Sequence, residues 1–309
     1  MTQRKTASGS MARKTWFITG ATRGLGLEIA KAVLRTGDRV VAAGRKRVAV
    51  RASLGADTDQ LLSIELDVTD ASQARTAADA ALSRFGAIDV LVNNAGYGHY
   101  GFFEESTIDE ARAQFETNLF GVFNVTWAAL PSMRAAGKGR IFNVSSLGGV
   151  LGGQMASLYC ATKFALEGFS ESLAKELSPF GIFVTIVEPG PFRTGFLAPT
   201  SIRVAQNRIA AYAERRTEIM TGIERRSGNQ PGDPVRLAQA LIRLANESSP
   251  PMRFLAGSLA VTAADEKLAG MRKELADWRQ LSVSTDGNFA STDVGALMRQ
   301  ISPLSHVKQ

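Results

Sequence analysis

Short apolar runs alternate with longer stretches of helical period along the first 190 residues. The runs at 15–20 (TWFITG), 38–44 (DRVVAAG), 61–68 (LLSIELDV), 88–96 (IDVLVNNAG), 139–146 (GRIFNVSS) and 182–190 (IFVTIVEPG) have strand length and few polar interruptions. Strands apolar on both faces belong in a parallel sheet covered on both sides. Between them, 24–35, 70–85, 108–136 and 157–177 read as helices, the last stopped by Pro179 and Gly181. Crossovers between parallel strands are right-handed, so the alternation predicts an α/β fold with a doubly wound parallel sheet. Beyond Pro191 the pattern changes. Residues 195–228 are Arg-rich and helical in period, with no strand signal. PGDP (231–234) opens an amphipathic helix over 235–246, and 251–259 supplies a seventh, edge strand. A helix near 263–280 precedes a polar tail, SVSTDGNFASTDVG. The organisation expected is a loose N-terminus over 1–13, one domain over 14–262 and a C-terminal extension over 263–309. Within the domain, 195–230 is expected to be a mobile lid, with a permanently docked pair of helices as the alternative. Its arginines (Arg203, Arg208, Arg215, Arg216, Arg225, Arg226) outnumber Glu214, Glu218 and Glu224, which leaves few anchors.

Composition narrows the classes. Hydrophobic residues at 45% and charged residues at 21% fit a folded globular chain of 309 residues. One cysteine excludes a disulfide framework and a Cys-rich zinc site, and two histidines argue against a His-based metal centre. No run of about 18 apolar residues predicts a transmembrane helix. The basic start, MTQRKTASGSMARK, has no apolar stretch behind it as a signal peptide would, so a cytoplasmic protein is expected. The net charge of +7 invites a nucleic-acid partner, yet no zinc-finger or RNA-recognition signature accompanies it. The excess sits in Arg4, Lys5, Arg13 and Lys14, and around Arg35, Arg39, Arg45, Lys46, Arg47 and Arg51. The second cluster falls where an anionic cofactor is expected.

That expectation comes from the turn Thr19-Gly20-Ala21-Thr22-Arg23-Gly24-Leu25-Gly26, between the first strand and the first helix. Gly20 permits a tight turn, Gly24 close approach of a pyrophosphate, and Gly26 close packing of helix on sheet. The helix N-terminus then offers free N–H groups and partial positive charge to phosphates. After the second strand an NAD site places an acid for the ribose hydroxyl, whereas NADP needs cations. Here Gly44-Arg45-Lys46 follows, with no acid, and Arg23 can reach the same phosphate. The spacing predicts NADP(H), with NAD(H) as the alternative.

Tyr159 and Lys163 stand four apart on a predicted helix and share a face. A tyrosine of pKa ~10 moves protons poorly at neutral pH. A shift of ~3 units needs ~4 kcal/mol of differential stabilisation, within reach of a nearby ammonium in a partly dry site. Ser146 closes a strand thirteen residues earlier, Asn93-Asn94-Ala95-Gly96 closes the fourth strand, and Asn118 sits mid-helix, where propensity disfavours it. With the glycine turn, Asp67-Val68-Thr69 and Pro189-Gly190-Pro191-Phe192-Arg193-Thr194, this ordered set resembles the short-chain dehydrogenase/reductase family over roughly residues 15–260. Tyr159 to Ser172 resembles its 17β-hydroxysteroid and retinol dehydrogenase branch.

The resemblance implies a seven-stranded Rossmann fold and a role for each matching residue. Tyr159 is the acid or base, Ser146 holds the substrate oxygen, and Lys163 binds the nicotinamide ribose and depresses the tyrosine pKa. Asn118 anchors a water linking Lys163 to solvent. Gly20, Thr22, Arg23, Gly24, Leu25, Gly26 and Arg45 bind phosphates. Asp67 and Val68 line the adenine pocket, and Asn94, Ala95 and Gly96 back the cofactor. Pro189, Gly190 and Thr194 meet the carboxamide. The activity implied is interconversion of an alcohol and a carbonyl compound. The alternatives are a non-catalytic NADP(H) sensor or scaffold, and an NAD-dependent dehydrogenase working oxidatively.

Other residues carry weaker expectations. Ser145 competes with Ser146, but the spacing to Tyr159 favours Ser146. His99 is expected at the substrate mouth or in solvent, Cys160 on another helix face, Glu188 in a structural hydrogen bond, and Trp127 in core or subunit interface. Phe102, Phe103, Leu151, Met155, Phe192, Phe196 and Leu197 suggest an apolar substrate. A homo-oligomer on the helices 108–136 and 157–177 is implied by the resemblance. Phe115, Leu119, Phe123 and Trp127, with Phe164, Phe169 and Leu173, recur at helical spacing.

Overall fold

The computed structural model describes residues 13–198, 201–287 and 296. The N-terminus expected to be loose and most of the polar tail lie outside the described residues. The chain divides into two compact units, one ending at Ala264 and one beginning at Asp265.

The first unit runs β1 (Thr15–Thr19), α1 (Gly24–Arg35), β2 (Arg39–Gly44), α2 (Arg47–Leu54), β3 (Leu61–Glu65), α3 (Ala71–Phe85), β4 (Val90–Asn93), β5 (Gly98–Tyr100) and α4 (Ile108–Phe115). It continues with α5 (Gly121–Ala136), β6 (Gly139–Val144), α6 (Ser157–Leu177), β7 (Ile182–Pro189), β8 (Ile202–Val204), α7 (Ala213–Arg226), α8 (Pro234–Leu244) and β9 (Arg253–Ala256). The helix α9 (Ser258–Val283) begins in this unit, and residues 265–283 of it belong to the second.

Seven strands form one parallel sheet in the order β3-β2-β1-β4-β6-β7-β9. The order reverses between β1 and β4, and at such a switch point the carboxyl ends of the strands open a crevice. Alternate side chains of each strand serve opposite faces. Trp16 and Ile18 pack with Ile29, Val33, Leu237 and Leu241 of α1 and α8. Phe17 packs with Ala74, Ala77, Val125 and Leu173 of α3, α5 and α6. Burial on both faces explains why the strands read as continuous apolar runs. Local signals set the helix ends: Asp70 caps α3 by accepting from the N–H groups of Ser72 (2.8 Å) and Gln73 (3.1 Å). Thr107 and Glu110 form a capping box at α4.

Four features depart from the sequence pattern. The helix expected over 108–136 is interrupted by a π turn at Glu116–Phe120. The expected helix near 263–280 begins earlier, at Ser258. The short helix α2, of eight residues, is not among those expected from the pattern. Residues 195–228 are not wholly helical: β8 pairs in parallel with β5, Gly98 to Ile202 through Tyr100 to Val204, as a separate two-stranded sheet. Three-residue strands are too short for a period of two to register.

The expectation of few anchors in 195–228 is also wrong. Glu105, fully buried, accepts from the Ile209 N–H at 2.9 Å and pairs with Arg216. Tyr212 donates to Glu104 at 2.9 Å and stacks on Phe102, with ring centroids 4.3 Å apart. One of the arginines that outnumber the local glutamates, Arg216, is itself part of the fastening. Burial pushes the Glu105 pKa up, but the Ile209 N–H and the Arg216 guanidinium outweigh it and hold the carboxyl below its ordinary value. The stability this contributes is present above the ordinary carboxylate range and is lost as pH falls through the depressed pKa.

Arg216→Met leaves a buried carboxylate without its cation, a change that costs roughly 3–5 kcal/mol. Amides of 202–226 are expected to exchange faster in the variant at neutral pH, while those of α6 keep their protection. Unchanged exchange over 202–226 would show that the pair does not fasten the segment.

Candidate active site

A cavity of about 1120 Å³ opens at the carboxyl ends of β1, β2, β4, β6 and β7, at the switch point. Its wall brings together Gly20, Thr22, Arg23, Gly24, Leu25, Arg45, Asp67, Val68, Asn94, Ala95, Gly96, Ser146, Tyr159, Lys163, Pro189, Gly190 and Thr194. Of the site residues picked from the sequence, Gly26 and Asn118 do not line it. Both stand one layer behind.

The phosphate end follows from backbone geometry. Gly24 has φ of +57°, a left-handed conformation that costs other residues energy. A Cβ on Gly26 would lie 2.5 Å from the Gly20 carbonyl oxygen and would also strike the Asn94 amide, so only glycine lets α1 seat here. Asn94 holds the turn by donating to the carbonyls of Thr19 (2.9 Å) and Gly20 (3.2 Å). The start of α1 has no side-chain cap and no acid in its first turn. Its free N–H groups and positive dipole end therefore face the cavity, the requirement of a phosphate site. These residues fit a dinucleotide.

The basic cluster is only partly available to that group. Arg45 and Arg23 are exposed in the cavity wall. Arg47 and Arg51 both bond Asp57 at 2.7 Å, and Arg39 donates to the Phe85 carbonyl. A Cβ on Gly44 would meet the Thr22 and Val50 methyls at 2.7 and 3.0 Å, so an acid substituted there perturbs packing as well as charge.

At the other end stand Tyr159, Ser146 and Lys163. The expected depression of the Tyr159 pKa by Lys163 is not found in the free protein: burial pushes it well above its ordinary value, and only the neighbouring Ser146 hydroxyl pulls the other way. Burial pulls Lys163 down to about 8, opposed by the Glu167 charge. The Lys163 ammonium donates to the Val144 carbonyl at 2.8 Å. Ser145 turns away from the cavity and donates to Glu167, whereas Ser146 lines it. The π turn puts Asn118 where its amide donates to the Tyr97 carbonyl (3.0 Å) and Thr162 Oγ1 (3.3 Å) and accepts from the Tyr97 N–H (3.1 Å). The bulge re-aims one side chain to fasten the chain leaving β4, a frequent use of π turns at functional sites.

The minor expectations divide. His99 neither lines the cavity nor meets solvent: it is 2% exposed, 3.6 Å from Glu110, and burial lowers its pKa. Phe192, Phe196 and Leu197 line the cavity; Phe102, Phe103, Leu151 and Met155 do not. Cys160 is buried, with its thiol pKa raised by burial.

The sequence pattern missed a buried carboxylate cluster behind the site. Arg253 of β9 donates from one nitrogen to Glu167 and Glu188 and from the other to Glu171, each at 2.5 Å. Glu167 lies one turn beyond Lys163 and also takes the Ser145 hydroxyl. One guanidinium thus ties β7, β9 and α6 together behind the cavity wall. Burial, reinforced by the Glu167 charge, raises the Glu188 pKa toward neutrality against the pull of Arg253. The available signal was a charge inside each of two apolar strands, since a buried charge demands a partner.

A family model for short chain dehydrogenases matches residues 14–204. Oxidoreductase BOA17 of Botryotinia fuckeliana (strain B05.10) is 37% identical over 278 residues, 88% of this chain and 99% of its own. A solved short-chain dehydrogenase from Streptomyces avermitilis is 40% identical and covers 89% of this chain and 100% of its own, with a TM-score of 0.81. The solved 3-ketoacyl-(acyl-carrier-protein) reductase of Brucella melitensis complexed with NADH is 28% identical, covers 78% and 95%, and has a TM-score of 0.66. No helix among the described residues is long and apolar enough to cross a membrane.

A carboxyl whose folded pKa is raised contributes stability below its ordinary pKa and loses it as pH rises through the folded value. Melting temperature is therefore expected to fall between about pH 5 and 8 by more in the wild type than in Glu188→Gln, which cannot ionise. Parallel melting curves across that range would contradict the raised pKa.

Proposed function

The chain belongs to the short-chain dehydrogenase family, and from that premise we propose an NADP(H)-preferring oxidoreductase that interconverts a secondary alcohol and a ketone (or a primary alcohol and an aldehyde) on a largely apolar small molecule. The observation that carries this reading is that Tyr159, Ser146 and buried Lys163 share one cavity wall.

The nicotinamide dinucleotide supplies or accepts the hydride when bound. The turn from Gly20 to Gly26 and the start of α1 would hold its diphosphate. Asp67 and Val68 would border the adenine, and Asn94 to Gly96 the ring face. Lys163 and Tyr159 would take the ribose, and Pro189, Gly190 and Thr194 the carboxamide. Arg45 and Arg23 favour a 2′-phosphate, because a guanidinium binds a dianion through paired hydrogen bonds and no acid follows β2 to repel it. In reduction Ser146 orients the carbonyl oxygen and Tyr159 donates the proton. A tyrosine kept neutral by burial is an acid ready to give. The developing negative charge on oxygen meets donors already oriented in a dry cavity, a larger contribution than proton transfer alone. Lys163, with a pKa near 8, is poised to restore the proton. Phe192, Phe196 and Leu197 give an apolar bed, and 195–230 covers the substrate side.

A homo-oligomer is part of this proposal. Leu119 and Leu173 of the two apolar stripes face their own core. Trp127 (68% exposed), Phe120 and Phe164 do not, and Phe123 joins Phe120 to Trp127 edge-on. Three exposed aromatics on α5, α6 and the adjoining π turn suit a subunit interface.

Tyr159→Phe is expected to reduce turnover of a ketone panel at least 10²-fold, read by NADPH absorbance, while NADPH fluorescence titration gives a nearly unchanged Kd. Residual activity above about a tenth of wild type excludes Tyr159 as the acid. Arg45→Asp, which avoids the crowding at Gly44, is expected to move the ratio of kcat/KM for NADPH over NADH toward NADH. A wild type that already prefers NADH overturns the cofactor proposal. Light scattering is expected to give a multiple of 33.1 kDa, and Trp127→Glu a smaller multiple. A wild-type monomer refutes the interface.

A further inference from the structure

The proposed reaction leaves two cations and one amide in the cavity wall without a task. Arg203 of β8 lies with its guanidinium 4.4 Å from the centroid of the Tyr97 ring. Arg226, in the last turn of α7, donates from Nε to the carbonyl of Gly222 in its own helix, at 3.0 Å. Both line the cavity, and neither has a carboxylate partner among the described residues. Other arginines of the same segment are engaged: Arg216 with Glu105, and Arg215 with Glu218 and Gln154. Gln230 also lines the cavity. It is 3% exposed, and its Oε1 has no hydrogen-bond partner.

These groups belong to the substrate side. Tyr100 packs with Tyr159 and Phe196 in one cluster. Burial raises the Tyr100 pKa and the Arg226 charge draws it back, so the guanidinium acts on the neighbour of the catalytic tyrosine. The cations suited to a dinucleotide, Arg23 and Arg45, stand instead by Thr22 and Gly44 at the end of β2. The cavity-lining carboxylates are Asp67 and Glu116. Asp67 accepts from Thr69, and Glu116 forms no ion pair among the described residues. Cations without a counter-ion beside an apolar bed attract an anion with an apolar body. A guanidinium fork matches a carboxylate in particular, through two parallel hydrogen bonds. The Gln230 amide can turn its N–H2 toward the same ligand and donate to a carboxylate oxygen.

Resting on the function proposed above, we propose that the substrate is an oxo- or hydroxy-carboxylic acid with an apolar body. Its carbonyl or alcohol meets Tyr159 and Ser146, and its carboxylate is held by Arg226 and Arg203, with Gln230 completing the polar contact. Such an anion subsite selects acids over their neutral esters, which offer the arginines no charge.

The test compares 4-acetylbenzoate with methyl 4-acetylbenzoate, in wild type, Arg226→Met, Arg203→Met and the double variant. NADPH oxidation gives kcat and KM, and calorimetry gives binding of each compound to the protein with NADP. Wild type is expected to prefer the acid by about tenfold or more in KM or Kd, the scale of a hydrogen bond to a charged group. That preference should collapse in the double variant and partly return in Arg226→Lys. A wild type that favours the ester, a preference that survives in the double variant, or no binding of the acid overturns the proposal. So does a change confined to NADPH affinity, which would assign the arginines to the cofactor. Loss of the acid preference in binding, with neither ketone reduced by any protein, supports the anion subsite while counting against the reaction itself.

Discussion

The site depends on holding two ionisable side chains, Tyr159 and Lys163, out of water at the open end of a parallel sheet. Each is at most 8% exposed, and burial is the main influence on both. It raises the phenol and lowers the ammonium, so both groups are pushed toward their neutral forms. The rest of the local architecture serves this burial. The carbonyl of Val144 receives the lysine, Ser146 meets the tyrosine, and Asn118 fastens the backbone that closes the wall above them.

Behind this pair the structure offsets one buried charge with another. Glu167 supports the charged form of Lys163 one helical turn away, and is itself held by Ser145 and Arg253. Arg253 also takes Glu188, immediately before the Pro189 and Gly190 of the cavity wall. The cluster thus contacts elements on both sides of the site. The arginines of 195–228 divide similarly: Arg216 fastens the cover to Glu105, while Arg203 and Arg226 remain in the cavity wall.

The parts legible in the sequence are those whose cause is local or periodic. Continuous apolar runs announced the doubly wound sheet because both faces are covered. The turn from Gly20 to Gly26 was legible because left-handed backbone and close packing demand glycine. The helical spacing of Tyr159 and Lys163 is common by itself; they and Asn118 stood out only through the ordered set of motifs around them, and the π turn that re-aims Asn118 was not legible. Pairings between distant residues stayed hidden. Arg253 and Glu167 are 86 positions apart, and Glu105 and Arg216 are 111 apart. Arg47 and Arg51 could not be told from cofactor ligands for a different reason: Asp57 is only 10 and 6 positions away, but it meets them only once α2 has formed.

The central claim is that burial controls the ionisation of Tyr159. Ultraviolet titration of phenolate absorbance, wild type minus Tyr159→Phe, measures it without substrate. The account predicts that the tyrosine lost in the variant ionises in the free protein only above the ordinary range near ~10. A difference curve with its midpoint at or below that value would contradict it.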